Sequence, residues 1–400
     1  MTASPLDPPS SMPPSHLRSL VAAIASMGFV NLTMGITFPL TAIILARQGV
    51  SPAMIGLNTA AQALPVFFVT PLVPRAIARL GPANLMIVAI LTVALALLLM
   101  ALYPNLYAWF PLRFLLGVGG TILWGSSEAW INALAPNERR GRIVGIYGAA
   151  AAAGFALGPA TLAVMGTDVS PLFFGSAMLV LAALLTATAD RKTNHFAGEA
   201  KGSAMWRLLL IAPAALLVNF FFAASEEALV TFFPLYSMKL GMGENAAVSL
   251  LTISAIGAIF VQPLVGVIAD KVNAYAFMTL LVVLSIAGYA ALPFFLPGFI
   301  ASAIAVFVVV GFANGLFTLG MVVVGQSFSG RELAGASAFT TAMWGTGALC
   351  GAPFSGWLMQ VWDPHGLVLA VCLIYLIYLP FPLVAWLRSG NAAQAESPTS

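Results

Sequence analysis

The 400-residue chain is a succession of apolar runs too long and too closely spaced to be the core of a water-soluble protein. A helix that crosses a bilayer needs about 20 predominantly apolar residues. Twelve stretches qualify: 18–46, 52–77, 84–103, 107–134, 142–166, 171–189, 207–237, 246–269, 275–295, 298–326, 336–361 and 366–387. Only 7% of residues are charged, against about 25% in a soluble domain. With a mean hydropathy of +0.99 there is too little polar surface to face water, so the solvent is lipid. The chain is expected to be an all-α membrane protein of twelve transmembrane helices. Several runs exceed the minimum length, which predicts tilt, or breaks where a helix lines a cavity.

Charge orients the runs. The longest polar interruption, around 190–207, divides them six and six. Thirteen of the sixteen Lys and Arg residues fall on one side of the membrane, while the other side holds only Arg47 and Lys239, and Arg113 lies within a run. Basic loops stay cytoplasmic, so both termini and the 190–206 linker are expected there. The anticipated organisation is a proline-rich tail at 1–17, a first half at 18–189, the linker, a second half at 207–387 and a tail at 388–400. The tails are too polar to bury a core, and the first is not a signal peptide, because the following run is too long and lacks a cleavage-like end. Cys350 and Cys372 both stand in apolar stretches, where packing rather than a disulfide is expected.

The halves repeat at an offset near 192 residues. VTPLVPRAIARLG (69–81) aligns with VQPLVGVIADKVN (261–273), TFPL (37–40) with TFFPL (231–235), Arg47-x-Gly49 with Lys239-x-Gly241, and Gly154 and Gly158 with Gly347 and Gly351. Six runs per half insert both copies the same way up. Parallel repeats about an axis along the membrane normal are one of the plans on which transporters are built.

These residues resemble the major facilitator superfamily over about 18–388. Its loop signature, G-x-x-x-D-R/K-x-G-R/K-R/K, is matched in GVIADKVN by Gly266, Asp270 and Lys271, with Asn273 in place of the second glycine. The first-half copy keeps Arg79 and Gly81 but has Pro74 for the first glycine and Ala78 for the aspartate. The resemblance implies that this loop latches the halves together on the cytoplasmic side. RFLLGVGG fits the fourth-helix pattern R-x-x-x-G-x-G through Arg113, Gly117 and Gly119, where the family associates the arginine with proton coupling. Gly145, Gly154, Gly158 and Pro159 fit a fifth-helix pattern that marks exporters and antiporters, without its trailing glycine pair. SSEAWIN followed by ERRGR is similar to a poorly characterised bacterial branch. The resemblance thus implies two pseudo-symmetric six-helix halves, alternating access, a bacterial inner membrane, a monomer and no cofactor. Small residues four apart also let helices pack closely in lipid, so Gly154, Gly158, Gly347 and Gly351 serve either packing or hinging.

Four charged residues lie inside runs: Arg113, Glu128, Glu226 and Glu227. Each costs roughly 3 kcal/mol at mid-membrane on insertion scales. Arg113 and Glu128 are 15 residues apart, about 22 Å along a helix, and cannot pair; each could instead reach an interface with its chain. Glu226 and Glu227 are too deep for that. Adjacent helical residues point about 100° apart, so one is expected to face a cavity and the other a neighbouring helix. A carboxyl there serves as a proton carrier or as the counter-ion of a cationic substrate. On this reading the fourth run lines a water-accessible path opposite the glutamates. Asn31, Asn58, Gln62 and Asn314 are polar candidates for the same cavity, with interhelical hydrogen bonding as their other use.

No G-x-x-x-x-G-K-[ST] loop suggests ATP drive, no His/Cys/acid cluster suggests a metal, and no basic stretch suggests nucleic acid. The partners expected are a small molecule, protons and the bilayer. Proton-coupled efflux leads; proton-coupled uptake of a sugar or organic acid is the alternative within transport. A non-transporting receptor or assembly factor on the same fold needs no intramembrane carboxylates, and no nucleophile–histidine arrangement inside the runs favours an enzyme.

Overall fold

The computed structural model describes residues 13–136, 139–190, 211–269 and 271–395. Every regular element among them is a helix. Eleven have the length and composition of a membrane span: α1 (Pro14–Arg47), α2 (Pro52–Leu80), α3 (Pro82–Leu102), α4 (Leu106–Leu134), α5 (Arg140–Met165), α6 (Ser170–Ala187), α7 (Pro213–Lys239), α8 (Glu244–Ala269), α9 (Ala274–Phe295), α10 (Phe299–Ser327) and α12 (Gly366–Ser389). The twelfth, α11 (Gly330–Val361), is less apolar but packs lengthwise on α7 and α2. The chain is a multi-pass membrane protein.

Sequence chemistry sets the helix ends. Asn105 caps α4, its side chain accepting from Tyr107 N at 2.9 Å, and Asn273 caps α9, accepting from Tyr275 N at 3.0 Å. Ser51 caps α2 ahead of Pro52, which needs no donor at a helix start. Helix limits differ from expectation by a few residues. α1 begins inside the expected 1–17 tail, and the last helix continues to Ala395 inside the expected 388–400 tail. α11 begins at Gly330 rather than at 336. Residues 1–12, 137–138, 191–210, 270 and 396–400 lie outside the description, and with them most of the expected linker. α2 is broken into Pro52–Ala60, Pro65–Val69, a turn at Thr70–Leu72, and Val73–Leu80. Pro65, Pro71 and Pro74 each remove a backbone donor, which interrupts the helical ladder.

The repeat is written into the packing. A Cβ added at Gly154 would lie 2.1 Å from Gly28 O, and one at Gly158 2.4 Å from Gly35 C, so α5 presses its backbone on α1. A Cβ at Gly347 would lie 2.1 Å from Phe220 O, and one at Gly351 2.1 Å from Ala224 O, so α11 presses on α7 in the same way. Residues 28 and 220, and 154 and 347, stand at the sequence offset. Both α1 and α7 end in a glycine with positive φ, Gly49 at 77° and Gly241 at 92°, a conformation a Cβ disfavours. Gly145, by contrast, has no neighbour within 4 Å of an added Cβ among the described residues. Both cysteines are free, Cys350 exposed and Cys372 half-buried.

The two faces of the bundle differ. At the face away from the termini the halves meet closely. Gly56 of α2 lies against Ala352 of α11, and Gly356 of α11 against Pro52 of α2, each so near that a Cβ would sit 2.3 Å from the opposing carbonyl oxygen. Arg47 at the end of α1 forms an ion pair with Glu244 at the start of α8, and Thr167 bonds both. At the termini face, by contrast, α5 is exposed from Arg139 to Ile146 except at half-buried Ile143. The halves are thus pressed together at the far face, and the start of α5 is uncovered at the termini face.

Candidate functional site

A cavity of about 450 Å³ lies between the halves. α1, α4 and α5 build one wall; α7 to α11 build the other. Three aromatic residues of the first half, Phe38, Trp124 and Phe155, face five of the second, Phe222, Phe233, Tyr289, Phe317 and Trp344. Trp124 is held edge-on to Tyr147, with ring centroids 6.1 Å apart. The charged side chains in this wall are Glu226 and Glu227, with no Lys, Arg or His among the described lining residues.

The glutamates stand at the middle of α7, since Glu226 is the central residue of the 27 from Pro213 to Lys239. At 1.5 Å per residue each end is about 20 Å away, beyond the reach of a glutamate. Both line the cavity, whereas the sequence reading had one of them facing a neighbouring helix. The cavity is wide enough around α7 to take in two positions 100° apart. Among the described residues neither carboxylate has a hydrogen bond or an ion pair within 4 Å. Their surroundings nevertheless differ. Glu227 interacts electrostatically with Arg113 of the opposite half, while Glu226 interacts with the hydroxyls of Tyr289 on α9 and Tyr375 on α12.

Arg113 is 1% exposed and does not reach the cavity surface. α4 instead meets the cavity through Trp124, so Arg113 is held within the first half. One guanidinium nitrogen donates to Gln62 Oε1 at 2.7 Å and the other to Thr41 Oγ1, with the group 5.6 Å from the Phe38 ring centre. Thr41 in turn donates to Thr37 O at 2.6 Å, which orients its oxygen toward the arginine. The arginine's Nε has no partner among the described residues. Charge-assisted bonds of this kind are what make a buried guanidinium tolerable.

The remaining candidates divide. Asn31 and Asn314 line the cavity, each also donating to its own helix, to Met27 O at 2.9 Å and Val310 O at 3.0 Å. Gln62 lines a small separate pocket of the first half and serves Arg113. Asn58 is wholly buried, and neither its amide nitrogen nor its oxygen has a partner among the described residues. Glu128 is exposed on α4 outside the cavity lining, within electrostatic reach of Tyr147. Pro159 lines the cavity. Of the expected cytoplasmic latch, Asp270 lies outside the described residues, Lys271 and Arg79 are exposed, Gly81 ends α2, and Gly266 has only Thr318 Cγ2 nearby, at 4.0 Å in its own half. Sequence reasoning passed over Gln262, which donates to Asn314 Oδ1 at 3.2 Å, and Tyr289. Gln262 could have been found, because it stands in the VQPL copy of the repeated VTPL segment.

Comparison with known proteins adds four findings. A family model described as Major Facilitator Superfamily matches residues 20–318 and 249–400. An uncharacterized MFS-type transporter of Bacillus subtilis, YfkF, is 26% identical over 362 residues, covering 88% of this chain and 90% of the relative. The nucleoside transporter NupG superposes with a TM-score of 0.75 at 15% identity, over 92% of this chain and 97% of that one. A bacterial homologue of the human lysosomal transporter Spinster, in an inward-facing, unoccupied conformation, does so with a TM-score of 0.73 at 15% identity, over 94% of each chain.

Proposed function

The chain belongs to the major facilitator superfamily and is a secondary transporter of a small molecule; on that premise we propose that it couples the export of a small organic molecule to proton entry, with Glu227 as the coupling group. The observation that carries the proposal is a carboxylate at the middle of α7, in the cavity wall, with no hydrogen bond or ion pair among the described residues and within electrostatic reach of a buried arginine of the other half. Ionised, Glu227 attracts Arg113 across the interface, and the attraction is stronger there than it would be in water. Protonated, it does not. The proton on Glu227 therefore sets how strongly the halves are drawn together just below the closed far face. The groups facing this carboxylate are Arg113 on α4 and Glu226 on its own helix.

Export follows from the fifth-helix glycine–proline pattern, and the thirteen-to-two distribution of basic residues supports cytoplasmic termini in a bacterial inner membrane. The termini face then opens to the cytoplasm, exposed Lys271 in the loop after α8 belongs to the proposed latch, and a monomer suffices, since the cavity is complete within one chain. The test is transport in proteoliposomes with a panel of amines, nucleosides, sugars and organic acids. One class should exchange across the membrane and move protons in the opposite direction. Exchange without proton movement contradicts the coupling. A phosphatase fused after Arg388 should be inactive; periplasmic activity there overturns the orientation.

A further inference from the structure

Resting on the cavity as the transport site, we infer that Glu226 and Tyr289 together seat the ammonium head of an amphipathic organic amine, whose apolar body lies among the aromatic side chains. The two adjacent glutamates thereby divide the work, Glu227 answering to Arg113 and Glu226 to the cargo.

Four observations converge on this. The described cavity lining holds two carboxyl groups and no lysine, arginine or histidine, so it offers an anionic cargo no counter-charge and a cation two acceptors. Arg113 is bonded to Gln62 and Thr41 and interacts with Glu227, and no cation among the described residues pairs with Glu226. Tyr289 is 1% exposed and belongs to the cavity lining, and its buried hydroxyl has no hydrogen-bond partner among the described residues. A buried hydroxyl left unpaired is costly, and a ligand atom at this place removes that cost. Finally, the neighbouring phenol is already committed. Tyr375 donates to Ser225 Oγ at 2.7 Å, and Ser225 donates to Phe222 O at 2.8 Å. Tyr375 then serves as a platform, stacked on Tyr289 with centroids 6.1 Å apart and planes 7° from parallel, and this fixes the orientation of the free hydroxyl.

An ammonium matches these groups. It donates N–H bonds to the Glu226 carboxylate and to the Tyr289 hydroxyl oxygen, and a bond to an ionised acceptor is the stronger kind. Aromatic ring faces add attraction for a cation. A sugar would find fewer partners, because Asn31 and Asn314 each spend one of two amide hydrogens on their own helix and Asn314 Oδ1 already accepts from Gln262.

The experiment titrates the purified full-length protein in detergent, by calorimetry, with three ligands that share one body: 4-phenylbutylamine, 4-phenylbutanol and 4-phenylbutyrate. The amine should bind most tightly and the alcohol about tenfold more weakly, as expected for loss of the ligand's positive charge beside a carboxylate, with the carboxylate weakest. Glu226→Gln should abolish the advantage of the amine over the alcohol while leaving alcohol binding intact, which also shows that the variant is folded. Tyr289→Phe should weaken the amine several-fold and spare the alcohol. Equal binding of amine and alcohol by the parent, no saturable amine binding, or an equal loss of both ligands in Glu226→Gln overturns the inference. Proton-coupled transport that persists without amine selectivity removes this assignment and leaves the transport reading standing; amine selectivity without proton coupling does the reverse.

Discussion

The α1–α5 pair and the α7–α11 pair are the same object built twice, and their differences locate the chemistry. In both, two glycines four apart press one helix against the backbone of the other, and in both the first helix ends on a positive-φ glycine. The charged positions are not duplicated. Subtracting the offset of 192 from Glu226 and Glu227 leads to Met34 and Gly35. Gly35 is pressed against Phe155, where an added Cβ would lie 2.3 Å from the carbonyl oxygen, so that position is structural in the first half and chemical in the second. Arg113 likewise maps onto Ala305. The rim repeats the lesson: Arg47 bonds Thr167 and also reaches Glu244 in the other half, whereas its counterpart Lys239 pairs with Asp363 at 2.5 Å within its own half. Duplication preserved the scaffold, and the proposed coupling groups lie where the copies diverged.

The shared scaffold should fail equally in both copies. Gly154→Ala and Gly347→Ala each place a Cβ 2.1 Å from a backbone oxygen, so each should destabilise by about 1–3 kcal/mol, measured by unfolding in detergent. Gly145→Ala, facing open space, should stay within about 1 kcal/mol of the parent. A large loss in only one half would break the comparison.

Positions unique to one half should fail alone. Gln62→Leu removes the acceptor of a buried guanidinium N–H and should cost roughly 1–3 kcal/mol in the same assay. Arg113→Lys keeps the charge but loses the fork that serves Gln62 and Thr41, so it should lower both stability and proton-driven transport. Unchanged transport in Arg113→Lys would separate the arginine from coupling.

The rim should show the smallest energies and the clearest asymmetry. Arg47 and Lys239 are both substantially exposed, so either alanine should cost under about 1 kcal/mol. Only Arg47→Ala cuts a link between halves, and only it should raise cysteine labelling at the far face. Equal labelling in the two variants would show that the Arg47–Glu244 pair does not hold that face shut.

Much of this architecture could be read before any coordinates. Long apolar runs, capping asparagines and prolines at helix starts are local signals, and they brought the twelve helices to within a few residues. The repeat was legible because close helix contact demands glycine and leaves few substitutes. The glutamates were legible because a charge in an apolar run has no local excuse. What stayed hidden depends on distant chain. Nothing near Arg113 announces that Thr41 and Gln62 will bond it, and the resulting burial withdraws it from the cavity. Tyr289 attracted no notice because a tyrosine is unremarkable in an apolar helix; only the absence of a partner in the fold distinguishes it. The break in α2 was signalled by Pro65, Pro71 and Pro74, although the sequence reading treated that stretch as one run.

The central claim is that Glu227, set across from Arg113, carries the coupling proton. Its most direct test is a comparison of two rates for Glu227→Gln in proteoliposomes, using the compound that the exchange panel identifies. Glutamine keeps the shape but cannot titrate, so movement driven by a pH gradient should fall to the level of empty liposomes while exchange at equal pH continues. Gradient-driven movement at the parental rate in Glu227→Gln would contradict the account.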